Sequence, residues 1–438
     1  MQQEVVMVVR SLLILSLFLI STVQAAPKIQ HWVTDNGVRV YFFPAKELPM
    51  LDLRVVFDAG AAKDGDKHGL ALLTNGLLAE GAGDLSSDQI AERFEGVGAG
   101  FGNSSHRDMS LLSLRSLTDK KLLNTALETF KTVLNEPKFP DAAFEREKSR
   151  LLIGLERQKQ SPSAISGKTF YKKVYENHPY AFGADGEIDS VKALTTDDLK
   201  AFYKQYFVAA NAVVALVGDV TRQEAEEIVK TVTGSLPAGE AASRVPTSKA
   251  LDKAEEVIID FPSSQSHIIV GQPGMKRGDP DYFPLYIGNH IFGGSGLVSI
   301  LSDEIREKRG LAYSSYSYFV PMRSEGPFIL GLQTKNKSAD EALKVMRETL
   351  KRFVDKGPSK AELVAAQKNL VGGFALKIAS NKKIVENLAS IGFYGMPLDY
   401  LDKFIANVEA VTVDQIKDAF KRRIDPEKMV TVVVGGKE

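Results

Sequence analysis

Two side chains able to grip a carbonyl group lie seven positions apart in the stretch 301–318, LSDEIREKRGLAYSSYSY: Arg306 and Tyr313. A guanidinium and a phenol are both hydrogen-bond donors, and together they can hold a peptide carbonyl and stabilise the charge that develops on its oxygen. On pattern alone, an Arg inside Glu-Ile-Arg-Glu-Lys reads first as part of a solvated helix face, so the elements that position it have to decide. Residues 298–308, behind the glycine-rich turn 292–296, read as one helix with Ile300, Leu301 and Ile305 on a common face. Gly310 is the expected stop, free to take a positive φ, and a Tyr- and Ser-rich strand follows from Ala312. Strict alternation puts Tyr313, Ser315 and Ser317 on one face of that strand and Ser314, Tyr316 and Tyr318 on the other. Arg306 and Tyr313 are then expected to face each other where helix meets strand.

Other chemistry is sparse. The six histidines, His31, His68, His106, His178, His267 and His290, include no pair at i, i+3 or i+4, so none forms a helical metal motif. His68 reads as a helix-start residue, His106 could meet it only through tertiary contact, and His178 reads as a packed loop residue. Glu145, Glu147 and Glu156 read as a solvated helix face. The absence of cysteine removes disulfides, thiol nucleophiles and cysteine-ligated metals. Lys plus Arg and Asp plus Glu balance at 55 each, which argues against a nucleic-acid partner. At the start, the apolar run 12–20 behind Arg10 and ahead of Val23-Gln24-Ala25 reads as a signal peptide, residues 1–25, too short for a comfortable membrane span. An exported protein, most simply periplasmic, without a stable span after cleavage is expected.

The elements around these residues occur twice. Strands at 37–43 and 51–59 open the chain, helices follow at 68–79 and 86–97, residues 98–106 read as irregular, and 109–117 is a strand. Helices at 120–135, 142–159, 164–176 and 196–206 lead to an apolar strand at 212–217. Residues 191–218 and 408–435 then superpose without a gap at an offset of 217, matching apolar positions, the Thr-led helix start and the terminal Val-Gly. A repeat of that period is a duplicated domain rather than a solenoid. The expected organisation is an N-terminal domain 26–235, an Ala-, Ser- and Pro-rich linker 236–254 able to act as a hinge, and a homologous C-terminal domain 255–438. The class is α+β, two homologous domains each with a mainly antiparallel sheet flanked by helices.

With these features together, the chain resembles the pitrilysin and insulinase family of zinc peptidases, most closely at 58–81, 177–220 and 292–318. The resemblance implies a clamshell of homologous halves around a peptide chamber. Active members carry H-x-x-E-H on the first long helix: two imidazoles one turn apart hold zinc and the Glu accepts a proton from its water. If Gly69-Leu70-Ala71 aligns with the residues before that motif, Leu72 and Gly76 stand at the histidine positions and Asn75 at the general base. The third ligand falls on Ile153, or on Gly154 with a one-residue slip. No cofactor is therefore expected in this chain. Arg306 and Tyr313 match the Arg and Tyr that the family's second domain offers to the substrate.

Two expectations follow from the resemblance. The first is a non-catalytic subunit of an exported heteromeric peptidase, completing with Arg306 and Tyr313 a site whose zinc sits in a homologous H-x-x-E-H-bearing partner and which cuts short unstructured peptides. The alternative is a peptide-binding or scaffold protein that uses the fold without catalysis.

Overall fold

Valine-rich runs and Ser- or Thr-capped amphipathic segments follow one another along the chain, and the computed structural model, which describes residues 28–436, arranges them as two sheets faced by helices. The expected signal peptide lies outside the described residues. In the first half the strands are β1 (Gln30–Val33), β2 (Arg39–Pro44), β3 (Met50–Phe57), β4 (Gly100–Ser105), β5 (Ser110–Leu117) and β6 (Ala212–Gly218), in the order β1-β2-β6-β3-β5-β4. In the second they are β7 (Glu255–Asp260), β8 (Gln265–Met275), β9 (Ala312–Phe319), β10 (Gly326–Lys335) and β11 (Val430–Gly435), in the order β9-β10-β8-β11-β7. Pairing is antiparallel except between β2 and β6 and between β7 and β11.

Equating β2 through β6 with β7 through β11 makes the two strand orders identical. The register agrees as well: Arg39 pairs with Val213 and Glu255 with Val430, two strand residues separated by the offset of the sequence repeat. The helices preceding these strands share their start signals. Thr195 and Asp198 close a capping box on α7 (Thr196–Tyr206), and Thr412 and Gln415 close one on α14 (Val413–Arg423). Each such cap satisfies two otherwise orphaned amides and is worth about 1 kcal/mol.

The remaining helices are α1 (Leu70–Gly76), α2 (Ser87–Glu95), α3 (Lys120–Asn135), α4 (Asp141–Gln158), α5 (Pro162–Tyr175), α6 (Ile188–Ala193), α8 (Arg222–Thr233), α9 (Tyr282–Asn289), α10 (Ala339–Lys356), α11 (Lys360–Lys377), α12 (Asn381–Tyr394) and α13 (Tyr400–Glu409). Most cover the outer face of their own sheet. Helices α5 and α12 do not. Val385, Leu388, Ile391 and Phe393 of α12 pack on Val56, Val213, Ala215 and Val217 of the first sheet. Phe170, Val174 and Tyr175 of α5 pack on Ile329, Val430, Val432 and Val434 of the second.

A buried polar cluster ties the halves where these helices meet. The Asp108 carboxylate accepts from the Tyr180 hydroxyl at 2.5 Å, from the Tyr394 hydroxyl at 3.1 Å and from the Arg323 amide at 2.9 Å. Arg323 also pairs with Asp58 at 3.2 Å. Segment 236–254 contains no helix or strand. It is nevertheless held along its length: the Ala209 amide donates to Pro237, His178 bonds the Pro246 carbonyl at 2.8 Å, and the Ser248 amide donates to Ser324 at 2.9 Å.

Two local expectations are corrected. Residues 100–105, read as irregular, form the edge strand β4, because pairing with β5 overrides the weak strand propensity of Gly-Phe-Gly-Asn-Ser-Ser. Segment 298–308 is not one regular helix: a 3₁₀ turn at Gly296–Val298 leads to Ile300–Ser302, capped by Ser299, and then to a π-helical turn at Asp303–Glu307. Leu301 and Ile305 are buried as the spacing requires, while Ile300 is only partly so.

The Asp108 cluster predicts a cooperative joint. Asp108→Ala leaves three donors from both halves unpaired and should lower the unfolding free energy by about 3 kcal/mol. Urea denaturation followed by circular dichroism measures this, and a loss of under about 1 kcal/mol would show that the joint is not coupled to global folding.

Candidate functional site

The Arg306 side chain hangs from the π turn, and Gly310, at φ +61°, redirects the chain into β9. The amides of Gly310 and Leu311 donate to the carbonyls of Arg306 and Ile305, both at 2.9 Å, and so fix the corner. The turn itself is clamped by Glu304, whose carboxylate meets Lys308 at 3.0 Å, Arg309 at 2.7 Å and Arg352 of α10 at 3.0 Å. Burial alone would push the Glu304 carboxyl up, but the hydrogen bonds from Lys308 and Arg309 and the charge of Arg352 outweigh it and hold the group below its ordinary range. On the other side, Gly293 lies against β9 so closely that a Cβ there would come within 2.4 Å of Ser317 Oγ.

The strand departs from simple alternation. Ala312 pairs with Thr334 but Ser315 pairs with Leu332, so one extra residue is accommodated between them. This bulge turns Tyr313 away from the face it would share with the buried Ser315 and Ser317. Tyr313 is 81% exposed, and the Arg306 guanidinium carbon sits 4.8 Å from the centre of its ring. The expected meeting of Arg306 and Tyr313 is present, and the bulge produces it. Apart from a 3.5 Å approach to Glu307, the guanidinium has no carboxylate partner among the described residues. A cation over a phenol ring is mutually orienting at about 1 kcal/mol and leaves N–H and O–H groups available to a ligand.

Helix α1 carries Leu72, Asn75 and Gly76. Its start is anchored by Asp64, whose carboxylate accepts from the amides of Gly69 and Ala71, each at 2.8 Å. Burial raises the Asp64 carboxyl to about 7, against the pull of these amide hydrogen bonds. Along the helix, Leu72 is half-buried, Gly76 is exposed, and Asn75 is buried with its Nδ2 donating to the Leu111 carbonyl at 3.3 Å. Helix α4, which packs on α1, carries Ile153 at 54% exposure. These four residues do not fit zinc. Leu72, Gly76 and Ile153 have no lone pair to donate, and the Asn75 amide is turned to the backbone and cannot act as a base at neutral pH.

The histidines are dispersed. His68 stacks on Phe182 with ring centres 3.6 Å apart, His106 lies 3.3 Å from Ser104 Oγ, and His178 is held between the Pro246 carbonyl and the Tyr180 amide. Burial lowers the His68 and His106 imidazoles. Glu147 is taken by Arg146 and Arg150 and Glu156 by Lys159, while Glu145 is exposed. Among the described residues, no three His, Cys, Asp or Glu side chains converge as a metal site.

This pairing of a donor corner with a helix stripped of ligands can be set beside known proteins. Residues 48–183 match the family Insulinase (Peptidase family M16), and residues 193–370 match Peptidase M16 inactive domain. A crystal structure of a peptidase M16 inactive domain from Pseudomonas fluorescens is 40% identical, with a TM-score of 0.91 over 94% of this chain and 98% of that one. The chain belongs to peptidase family M16. A Helicobacter pylori protein described as non-peptidase homolog YmxG is 24% identical over 95% of this chain and 96% of its own length. The periplasmic protease PqqL from Escherichia coli shares the fold at 19% identity and a TM-score of 0.78, over 94% of this chain and 46% of PqqL. A Bacillus subtilis protein described as uncharacterized zinc protease YmxG is 21% identical over 89% of this chain and 94% of its own length.

Two supports of these residues lie beyond the sequence reading. Glu304 and its i+4 partner Lys308 are visible as a charged helical pair, but Arg352 joins them only through the fold. Asp64 precedes α1 like any loop aspartate, and its burial is tertiary. Restoring donors should restore metal: the combined variant Leu72→His, Asn75→Glu, Gly76→His, Ile153→Glu should hold about one zinc per chain by elemental analysis. Failure of the folded variant to take up zinc would show that these are not the family's ligand positions.

Asp64 also sets a pH dependence. Its folded carboxyl titrates near 7 and its unfolded one in the ordinary range, so the native state binds the extra proton between them. The contribution is therefore full below about pH 4 and is lost as the pH rises toward 7. Asp64→Asn should flatten the fall in unfolding free energy over that window, and an unchanged pH profile would refute the assignment.

Proposed function

We propose that this chain is the non-catalytic subunit of a heteromeric zinc peptidase, giving Arg306 and Tyr313 to substrate held at a zinc that belongs to a homologous, H-x-x-E-H-bearing partner. The observation that carries the reading is the bulge at the start of β9, beside which the exposed Tyr313 ring lies under the half-buried Arg306 guanidinium. A scaffold has no use for such an arrangement. Metal chemistry is the partner's; this chain's part is to grip the peptide carbonyl with the guanidinium and to donate the phenol proton's hydrogen bond to the oxygen as it gains charge. Both donors are fixed before substrate arrives, Arg306 by the Glu304 clamp and Tyr313 by the bulge, so little reorganisation accompanies the reaction.

The substrates in this reading are short unstructured peptides, because an extended backbone presents carbonyls free of internal hydrogen bonds. Export to the periplasm rests on the apolar run 12–20 and the Val23-Gln24-Ala25 sequence, which lie outside the described residues. Among the described residues, no helix is long and apolar enough to cross a membrane.

The alternative, a peptide-binding protein without catalysis, draws on the apolar surface left by Leu72 and Ile153 where ligands would stand. Turnover separates the two. With the co-expressed zinc-bearing homologue and a quenched fluorescent peptide, Arg306→Ala and Tyr313→Phe should each lower kcat by about a hundredfold with the complex intact. Unchanged turnover in both variants would refute the shared site and leave the binding role.

A further inference from the structure

The main sheets of the two halves match strand for strand except at one edge. In the first half, the free edge of β2 is closed by β1, with Trp32 paired to Val40 and Gln30 to Phe42. Helix α8 lies over the same corner: its Ile228, Val229 and Val232 share a core with Phe42, and its Arg222 guanidinium rests 3.7 Å from the Trp32 ring. Val40 and Phe42 are fully buried as a result.

The register of the repeat equates Val40 with Glu256 and Phe42 with Ile258 on β7. Among the described residues, β7 has β11 as its sole strand neighbour, and no strand is added where β1 stands in the first half. The amides of Glu255 and Phe261 donate to Met429 and Gly435 on the β11 side. By the alternation of a strand, the amides and carbonyls of Glu256, Ile258 and Asp260 point out along the open edge. Ile258 is 65% exposed at the centre of this edge, where its counterpart Phe42 is 0% exposed.

Charge selects the occupant. Glu256, Ile258 and Asp260 share one face of β7, so the edge presents acid, aliphatic, acid at every second residue. Glu256 already attracts a cation, Arg347 of α10, at 2.7 Å. A second copy of β7 added antiparallel about Ile258 would set Glu256 opposite Asp260, a like-charge pairing that destabilises a ladder. An added strand with basic, apolar and basic residues at alternate positions would cover Ile258, pair with both carboxylates and satisfy the open backbone groups.

We propose that the free edge of β7 docks an extended segment of a partner protein with the pattern basic-x-apolar-x-basic, added antiparallel as β1 is added to β2. This surface lies on the opposite edge of the second sheet from Arg306 and Tyr313, so the proposal stands apart from the peptidase reading.

The probe is an end-capped, fluorescein-labelled peptide Thr-Lys-Thr-Ile-Thr-Lys-Thr, read by anisotropy with the full chain, together with hydrogen exchange over residues 255–261. Binding should slow exchange at Glu256, Ile258 and Asp260. The same peptide with Glu for Lys should bind at least about tenfold more weakly. Ile258→Lys, at an exposed position that leaves the fold intact by circular dichroism, should weaken the basic peptide by at least about tenfold as well. Equal binding of the two peptides, no slowed exchange at 255–261, or no binding at about 1 mM peptide would each overturn the proposal. So would a dimer in sedimentation that Ile258→Lys dissolves, which would assign the edge to a second copy.

Discussion

Each sheet buries its inner face against a helix from the other half of the chain, and the rest of the molecule depends on that exchange. The first sheet is covered by Val385, Leu388, Ile391 and Phe393 of α12, and the second by Phe170, Val174 and Tyr175 of α5. A mixed sheet with an apolar inner face cannot stand in water alone, since each buried aliphatic side chain is worth about 2 kcal/mol relative to exposure. Neither half can therefore leave the other without uncovering its own core. The Asp108 cluster and the pinned linker 236–254 lie along the same joint, which makes the connection between the halves a bonded seam rather than a free hinge.

That rigidity gives the donor corner its value. Arg306 and Tyr313 stand on two devices that regular secondary structure does not provide, a π turn and a strand bulge, each held by neighbours. The extra residue at the bulge reverses the face on which Tyr313 emerges. The Glu304 clamp sets three cations around one carboxylate within and beside the turn. Helix α1 keeps its anchored start and carries no histidine or carboxylate.

The duplication also shows where the halves diverged. Strand β1 and helix α8 complete the first sheet, while the second ends in the acid-aliphatic-acid edge of β7. A bare Ile258 flanked by carboxylates has two consequences at once. It repels a second copy of itself, and it leaves a complementary strand a place to add.

The sequence by itself determined a great deal here. Duplication at an offset of 217, the α+β class, the capped helices α7 and α14, the non-ligating side chains of Leu72, Gly76 and Ile153, and the spacing of Arg306 and Tyr313 are all local patterns. Periodicity and side-chain chemistry suffice for such features because they rest on near neighbours in the chain. Tertiary structure decided the rest. β4 is a strand because β5 pairs with it, and segment 298–308 divides into a 3₁₀ turn, a Ser299-capped turn and a π turn that carries the Glu304 ion pairs. Tyr313 faces Arg306 because one residue is left over when β9 registers against β10. The exposure of Ile258 against the burial of Phe42 is invisible in two equally apolar strands. Register, clamps and the covering of edges depend on partners far away in sequence, and no local pattern encodes which partner arrives.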